Sequence, residues 1–377
     1  MLNAINSSCC IFLILQNDTS LHNKNVIIDV GEGTIKGLKA PDGEYYMYLG
    51  IPYAKVDESN YFGSGSAQAL TVLHDPDKLA PLKMARYIGL ETDDIEKAVS
   101  YLSTVKTNLV INAAAKLNIQ FKPCVETLFD DVEPFIENSW IDAKVPKVKN
   151  MSIIIGFTNL EMAPLYTQDE KYFNNLSILN KSLAQVFDKE KIRDSKDIIA
   201  HFYFGDEKIG SNVKWDIIRF ASDFTYIHPI HRTLKKYLEN GAGPIYFYMF
   251  SYVGSRNTVV TSSYDELDSS RLCCASHNDD LDYLFSIQNK PALTEADTLT
   301  MQRMTRMWTN FAKYSNPTPV INEVLPVLWE PVTKNTYIYL NIDTKLALGK
   351  RPLHRRMAFW DLFYDHKKLS QTSYEDD

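Results

Sequence analysis

Two residues of this chain have the types and the order that acid–base chemistry needs: Glu161, in "GFTNLEMAPLY", and His277, in "CCASHNDDLDYLF". A histidine that takes a proton from a hydroxyl works best with a carboxylate on its other ring nitrogen. That carboxylate fixes the tautomer and stabilises the imidazolium as it forms. The acid precedes the histidine by 116 residues, an order in which the nucleophilic serine is sought upstream of both. Taken singly, each residue has a bland reading. A glutamate in a turn after a strand is ordinarily a surface residue, and a loop histidine is more often structural or solvated than catalytic. Cys274, just before His277, raises a cysteine–histidine alternative, but nothing beside it would depress a thiol pKa. His228 and His231, in "HPIH", have a spacing that could suit a metal. No further ligand cluster lies close in sequence, and two histidines on or before a helix is the simpler reading, so neither a metal nor another cofactor is expected.

The elements that must position these residues alternate strand and helix, which argues an α/β fold. "MSIIIGFT" at 151–158 is nearly all apolar and reads as a strand buried on both faces, as in a parallel sheet. It delivers Glu161 just past its C-terminal end, the edge where reactive groups gather in open α/β sheets. Residues 177–240 read as mostly helical, and "GPIYFYMFSYV" at 243–253 as a second buried strand. His277 follows in a polar loop. Beyond it come an amphipathic helix at 299–314 stopped by Asn316-Pro317, the strand "NTYIYLNI" and a last helix, "HRRMAFWDLFYDHKKL". Upstream, residues 26–54 alternate apolar with polar and are broken by Gly33, Gly37 and Pro41-Asp42-Gly43, the pattern of a β-meander. Residues 77–118 then turn helical, with acids in the first turn of "ETDDIEKAVSYLSTV" to suit the helix dipole.

Composition bounds the function classes. The 377 residues are 45% hydrophobic and 23% charged, as in an average globular protein. A net charge of −7 and the absence of any lysine/arginine block make nucleic acid and anionic membranes poor partners. The five cysteines include two adjacent pairs and no CxxC, which supports neither a zinc ribbon nor a redox motif. "SSCCIFLILQ" is too short to span a bilayer, so no transmembrane segment is expected. Residues 1–25 read either as a poorly ordered N-terminus or as a weak signal, and 366–377 as a polar tail. A secreted and a cytoplasmic location both stay open, as does the oligomeric state.

The flanks of the two residues carry more than the residues alone. "GEGTIKG", "YLGIPYAK", "SGSAQALTVLHDPDKLAPLKMARYIGLETDD", "GFTNLEMAPLY", "SDFTYIHPIHRTLKKY", "GPIYFYMFSYVG", "ASHNDDLDYLF", "MWTNFAKYSNPTP" and "RRMAFWDLFY" together resemble the type-B carboxylesterases, with the insect branch closest. The resemblance runs from about residue 26 to 365. It implies an α/β-hydrolase fold, a small-molecule carboxylic ester as substrate in intact relatives, and roles for two residues. Glu161 falls at the triad acid and His277 at the general base.

What the resemblance leads one to look for next is not in the chain. After "GIPYAK" the family runs through a long block holding an "HGG" oxyanion segment and a "GxSxG" elbow that presents the serine. Here "VDESNYF" leads directly to "GSGSAQAL"; no G-x-S-x-G and no HGG occur, and neither Ser64 nor Ser66 has an elbow's neighbours. The expectation is an incomplete α/β-hydrolase fold at 26–365 that keeps the N-terminal meander and C-terminal half, lacks the nucleophile-bearing central strands, and is catalytically inactive as it stands. Three readings compete: an active carboxylesterase whose gene model or transcript here lacks one or more internal exons, a non-catalytic binding or adhesion relative, and a truncated product that folds poorly.

Overall fold

The computed structural model describes residues 27–29, 34–36, 38–39, 46–47, 79–117, 119, 144–145, 148–167, 170–173, 177–183, 187, 189–258, 274–285 and 291–369. The stretch 1–25, the tail beyond 369, and Ser64, Ser66 and Cys273 lie outside the described residues. The chain divides into two compact units, 1–143 and 144–377.

The first unit opens with two antiparallel ribbons. β1 (Ile27–Asp29) pairs with β2 (Thr34–Lys36), and β3 (Leu38–Lys39) with β4 (Tyr46–Met47). The helical stretch resolves into α1 (Ala80–Ile88), α2 (Ile95–Thr104) and α3 (Thr107–Leu117). Gly89 ends α1 in the left-handed conformation at φ 114°, donating its N–H back to the last turn, a geometry open to glycine without steric cost. Asp94 starts α2 by accepting from the Glu96 and Lys97 N–H groups, which have no partner within the helix. Leu82, Met84, Ala98, Leu102, Val110 and Ala114 form the buried seam between the three helices.

The second unit is built on a four-stranded sheet in the order β5 (Ile153–Thr158), β6 (Ile245–Phe250), β7 (Ile338–Ile342), β8 (Ala347–Lys350). The first three run parallel; β8 returns antiparallel to β7. Side chains alternate along β6, so Ile245 and Phe247 enter one core and Tyr246, Tyr248 and Phe250 the other. The first core is covered by α4 (Ser177–Leu183), α5 (Lys189–Phe204), α6 (Lys214–Ser222), α7 (His228–Glu239) and α9 (His354–Leu369). The second packs α8 (Glu295–Tyr314) and Trp329 against the opposite face.

Two local features differ from what the residue pattern predicts. β6 is the strand buried along both faces; in β5 only Phe157 and Thr158 are fully buried, and Ile153 through Gly156 are half-buried. Their place explains this, since β6 lies between two strands and β5 is an end strand of the described sheet. α8 begins four residues before the predicted helix because Thr294 and Asp297 form a capping box.

Between α6 and α7 the helix continues as a wide π turn, Asp223–Ile227, with the His228 N–H bonded to the Asp223 carbonyl. Pro229 sits in the first turn of α7. It has no N–H to give to the preceding turn and its ring crowds the Thr225 carbonyl, so the backbone widens where it would otherwise break.

Candidate active site

The site is built where β5 runs out. The chain turns through Asn159–Met162, and this turn is stitched to the loop carrying His277 by a ladder of short bonds. The Leu160 N–H donates to the Ala275 carbonyl at 3.1 Å, and the His277 N–H donates to the Glu161 carbonyl at 3.0 Å. The Ala275 N–H donates to Asn159 Oδ1 at 2.8 Å. On the other side, Met162 N–H donates to Ser222 Oγ at the end of α6. The backbone of the acid and that of the histidine are therefore fixed to each other before either side chain is considered.

The side chains then meet. His277 Nδ1 lies 2.7 Å from Glu161 Oε2, and the other carboxylate oxygen, Oε1, accepts from the Thr158 N–H at 2.8 Å. Glu161 is buried, at 4% exposure, while the His277 ring is about a quarter open. An ionised carboxylate only accepts, so Nδ1 carries the proton and Nε2 keeps its lone pair. The hydrogen bond to Glu161 raises the His277 pKa against the opposing effect of burial, helped by the charges of Glu161, Asp280 and Asp279. The separation is within the reach that proton transfer and orientation require, about 2.6–3.2 Å.

A second tier holds the histidine loop. Asp279 is fully buried and accepts from the Ser276 N–H and hydroxyl, the Asn257 side-chain amide and the Thr258 N–H. Asn257 in turn accepts from the Tyr283 hydroxyl. Asp280 accepts from the Tyr248 hydroxyl of β6 at 2.8 Å, and burial pushes its pKa up to about 6. Asp297, at the start of α8, gathers Tyr252, Ser255 and Thr294; burial opposes its charge, but these hydrogen bonds hold it down to about 2.

Glu161 and His277, paired by sequence order, are thus brought together. The other candidates are not. Cys274 is buried in a small apolar cluster with Ala163, Leu160 and Trp215. His228 and His231 open α7: His228 bonds to Asp361 at 3.0 Å, and His231 lies between Phe157 and Phe247, where burial drives its pKa down to about 3. Among the described residues no group of three histidines, cysteines or acids could hold a metal ion, and no helix is long and apolar enough to cross a membrane. One neighbour of the pair has no sequence signal of its own. Tyr226, in the π turn, packs its ring on His277 with centroids 4.5 Å apart and planes 32° from parallel.

Comparison with known proteins identifies relatives of the chain. Esterase FE4 of Myzus persicae is 22% identical over 325 residues, covering 81% of this chain and 56% of its own. Pyrethroid hydrolase Ces2a of Mus musculus is 28% identical over 166 residues, 43% of this chain and 27% of its own. Among solved structures, the juvenile hormone esterase of Manduca sexta superposes with a TM-score of 0.62 at 20% identity, over 80% of this chain and 58% of that one. The chain therefore spans at most little more than half the length of these relatives, and it shares the α/β-hydrolase fold of the last. The sequence profile of the carboxylesterase family matches residues 62–360. On that match, the chain belongs to the carboxylesterase family.

Proposed function

We propose that this chain carries the acid–base half of a carboxylic ester hydrolysing site, with His277 as general base and Glu161 as its orienting acid, and that the 377 residues as they stand turn over no ester. The observation that carries the first part is the 2.7 Å bond between His277 Nδ1 and buried Glu161, which leaves Nε2 as the free basic atom. In a complete site Nε2 takes the serine proton as Oγ attacks the ester carbonyl, and then returns it to the departing alcohol. Supporting the second part is the sequence, which holds neither a G-x-S-x-G elbow nor an HGG segment. A base with no positioned nucleophile has nothing to activate. The loss of one oxyanion donor alone costs about 10²–10³ in rate. On this reading the sheet lacks the central strands that bear the elbow, and the substrate class is a small carboxylic ester.

The test is a p-nitrophenyl ester together with an organophosphate. No burst and no covalent labelling are expected, and residual hydrolysis should be indifferent to His277→Ala. Stoichiometric labelling that disappears in His277→Ala would overturn the inactive reading, and would point to Ser64 or Ser66 as the nucleophile.

A further inference from the structure

We propose that Tyr226 is a positioning residue for His277: its ring, carried by the π turn, covers one face of the imidazole and holds it in the plane in which Nδ1 meets Glu161. This rests on the reading of Glu161 and His277 as an acid–base pair. The bond from Nδ1 to Glu161 Oε2 sets the ring's orientation together with the covalent link at Cγ, but a single hydrogen bond is soft to bending and lets the ring rock about its Cβ–Cγ bond. A face contact removes this freedom, and Tyr226 supplies one at 4.5 Å with a tilt of 32°.

Tyr226 lies within the wide turn. Phe220, Phe224 and Ile227 on the same continuous helix are buried in the core, whereas Tyr226 is half-buried and turned to the histidine. A regular α-helix repeats its faces every three to four residues. Phe220, Phe224 and Ile227 keep that spacing, and Tyr226 stands off their face; among the described residues its ring is the aromatic one that meets His277.

The ring also acts on charge. The face of an aromatic ring is electron-rich and attracts a cation lying on it, so it favours the imidazolium over the neutral imidazole. The groups around the imidazole then agree: Glu161 on Nδ1, the charges of Asp279 and Asp280 from its own loop, and the Tyr226 face all favour the protonated ring. Burial and the charge of Glu161 raise the Tyr226 hydroxyl pKa, so it stays neutral when the histidine titrates.

The experiment is a histidine-resolved NMR titration of the full chain as wild type, Tyr226→Phe, Tyr226→Leu and Glu161→Gln. Tyr226→Leu is expected to lower the His277 pKa by about half a unit, roughly threefold in its dissociation constant, and to speed exchange of its Nδ1 proton. Tyr226→Phe keeps the ring and is expected to restore both. Tyr226→Leu with wild-type pKa and exchange, or Tyr226→Phe behaving like Leu, overturns the proposal. A Glu161→Gln chain with an unmoved His277 pKa sinks the pair itself, which separates the two failures. Should Tyr226→Leu not fold, the wild-type spectrum decides. His277 ring protons displaced upfield by the aromatic face are expected, and unshifted ones overturn the proposal.

Discussion

The two carboxylate oxygens of Glu161 have separate tasks. Oε1 is held by the Thr158 N–H, a donor at the very end of β5, and only Oε2 is presented to His277. A carboxylate anchored on one oxygen meets the imidazole in a single orientation, with no second rotamer to choose. The consequence for pH follows from the sign of the shift. The His277 pKa is raised above its ordinary 6.5, so the pair's contribution to stability is complete below that value and is lost as pH rises through the folded pKa. Asp223 and Asp280, both raised to about 6 by burial, titrate at the acid end of this window and are present in wild type and variant alike. Thermal melts from pH 6.5 upward should therefore show the wild type losing stability toward Glu161→Gln. The variant should be weaker by about 1–2 kcal/mol at the acid end and flatter throughout. Parallel curves would refute the linkage. Glu161 and His277 were legible in sequence through their order and their flanks. Tyr226 was not, because an aromatic residue inside a helical stretch carries no polarity pattern, and its contact with His277 is tertiary.

Among the elements, β5 and β6 do more than bury apolar surface. Gly156 of β5 lies under the ring of Tyr248 so closely that an added Cβ would stand 2.3 Å from it. The Tyr248 hydroxyl is bonded to Asp280, three residues beyond His277, so that ring cannot swing aside without releasing the histidine loop. Gly156→Ala should cost about 1–3 kcal/mol through overpacking, read as a lower urea midpoint, and Tyr248→Leu in the same chain should recover part of it. An unmoved midpoint in Gly156→Ala would show that the strand yields instead. β5, β6 and β7, and α9 over its whole length, were readable from apolar runs and period. β8 was missed because "ALGK" is short, polar-ended and mostly exposed, and takes its conformation from pairing with β7. The wide turn was hidden for a different reason. Pro229 signals a helix boundary, yet the helix continues through it by way of the π turn.

For the whole molecule, the described sheet ends at β5, whose Ile153–Gly156 are half-buried. Along a parallel strand alternate N–H groups point to opposite sides. Ile153 donates toward β6, at the Pro244 carbonyl, which sends those of Ile154 and Gly156 the other way. An apolar, β-branched edge of this kind is a template for pairing with another chain. The purified chain is expected to self-associate at micromolar concentration, and light scattering after size exclusion checks it; a monodisperse, cooperatively folding monomer would contradict the incomplete-sheet reading. The overall architecture was legible because strand and helix periods alternate plainly. The division after residue 143 was not, since no change in composition marks it.

Every described hydrogen bond that fixes Glu161 and His277, from Thr158 and Asn159 through Ser222, Asn257 and Asp279, comes from residues after 144. Glu161 and His277 thus share one scaffold, held within the second unit. Mutation elsewhere in the gene can delete a nucleophile without loosening either of them. On the inactive reading proposed above, the geometry of such a pair outlasts the nucleophile it would serve.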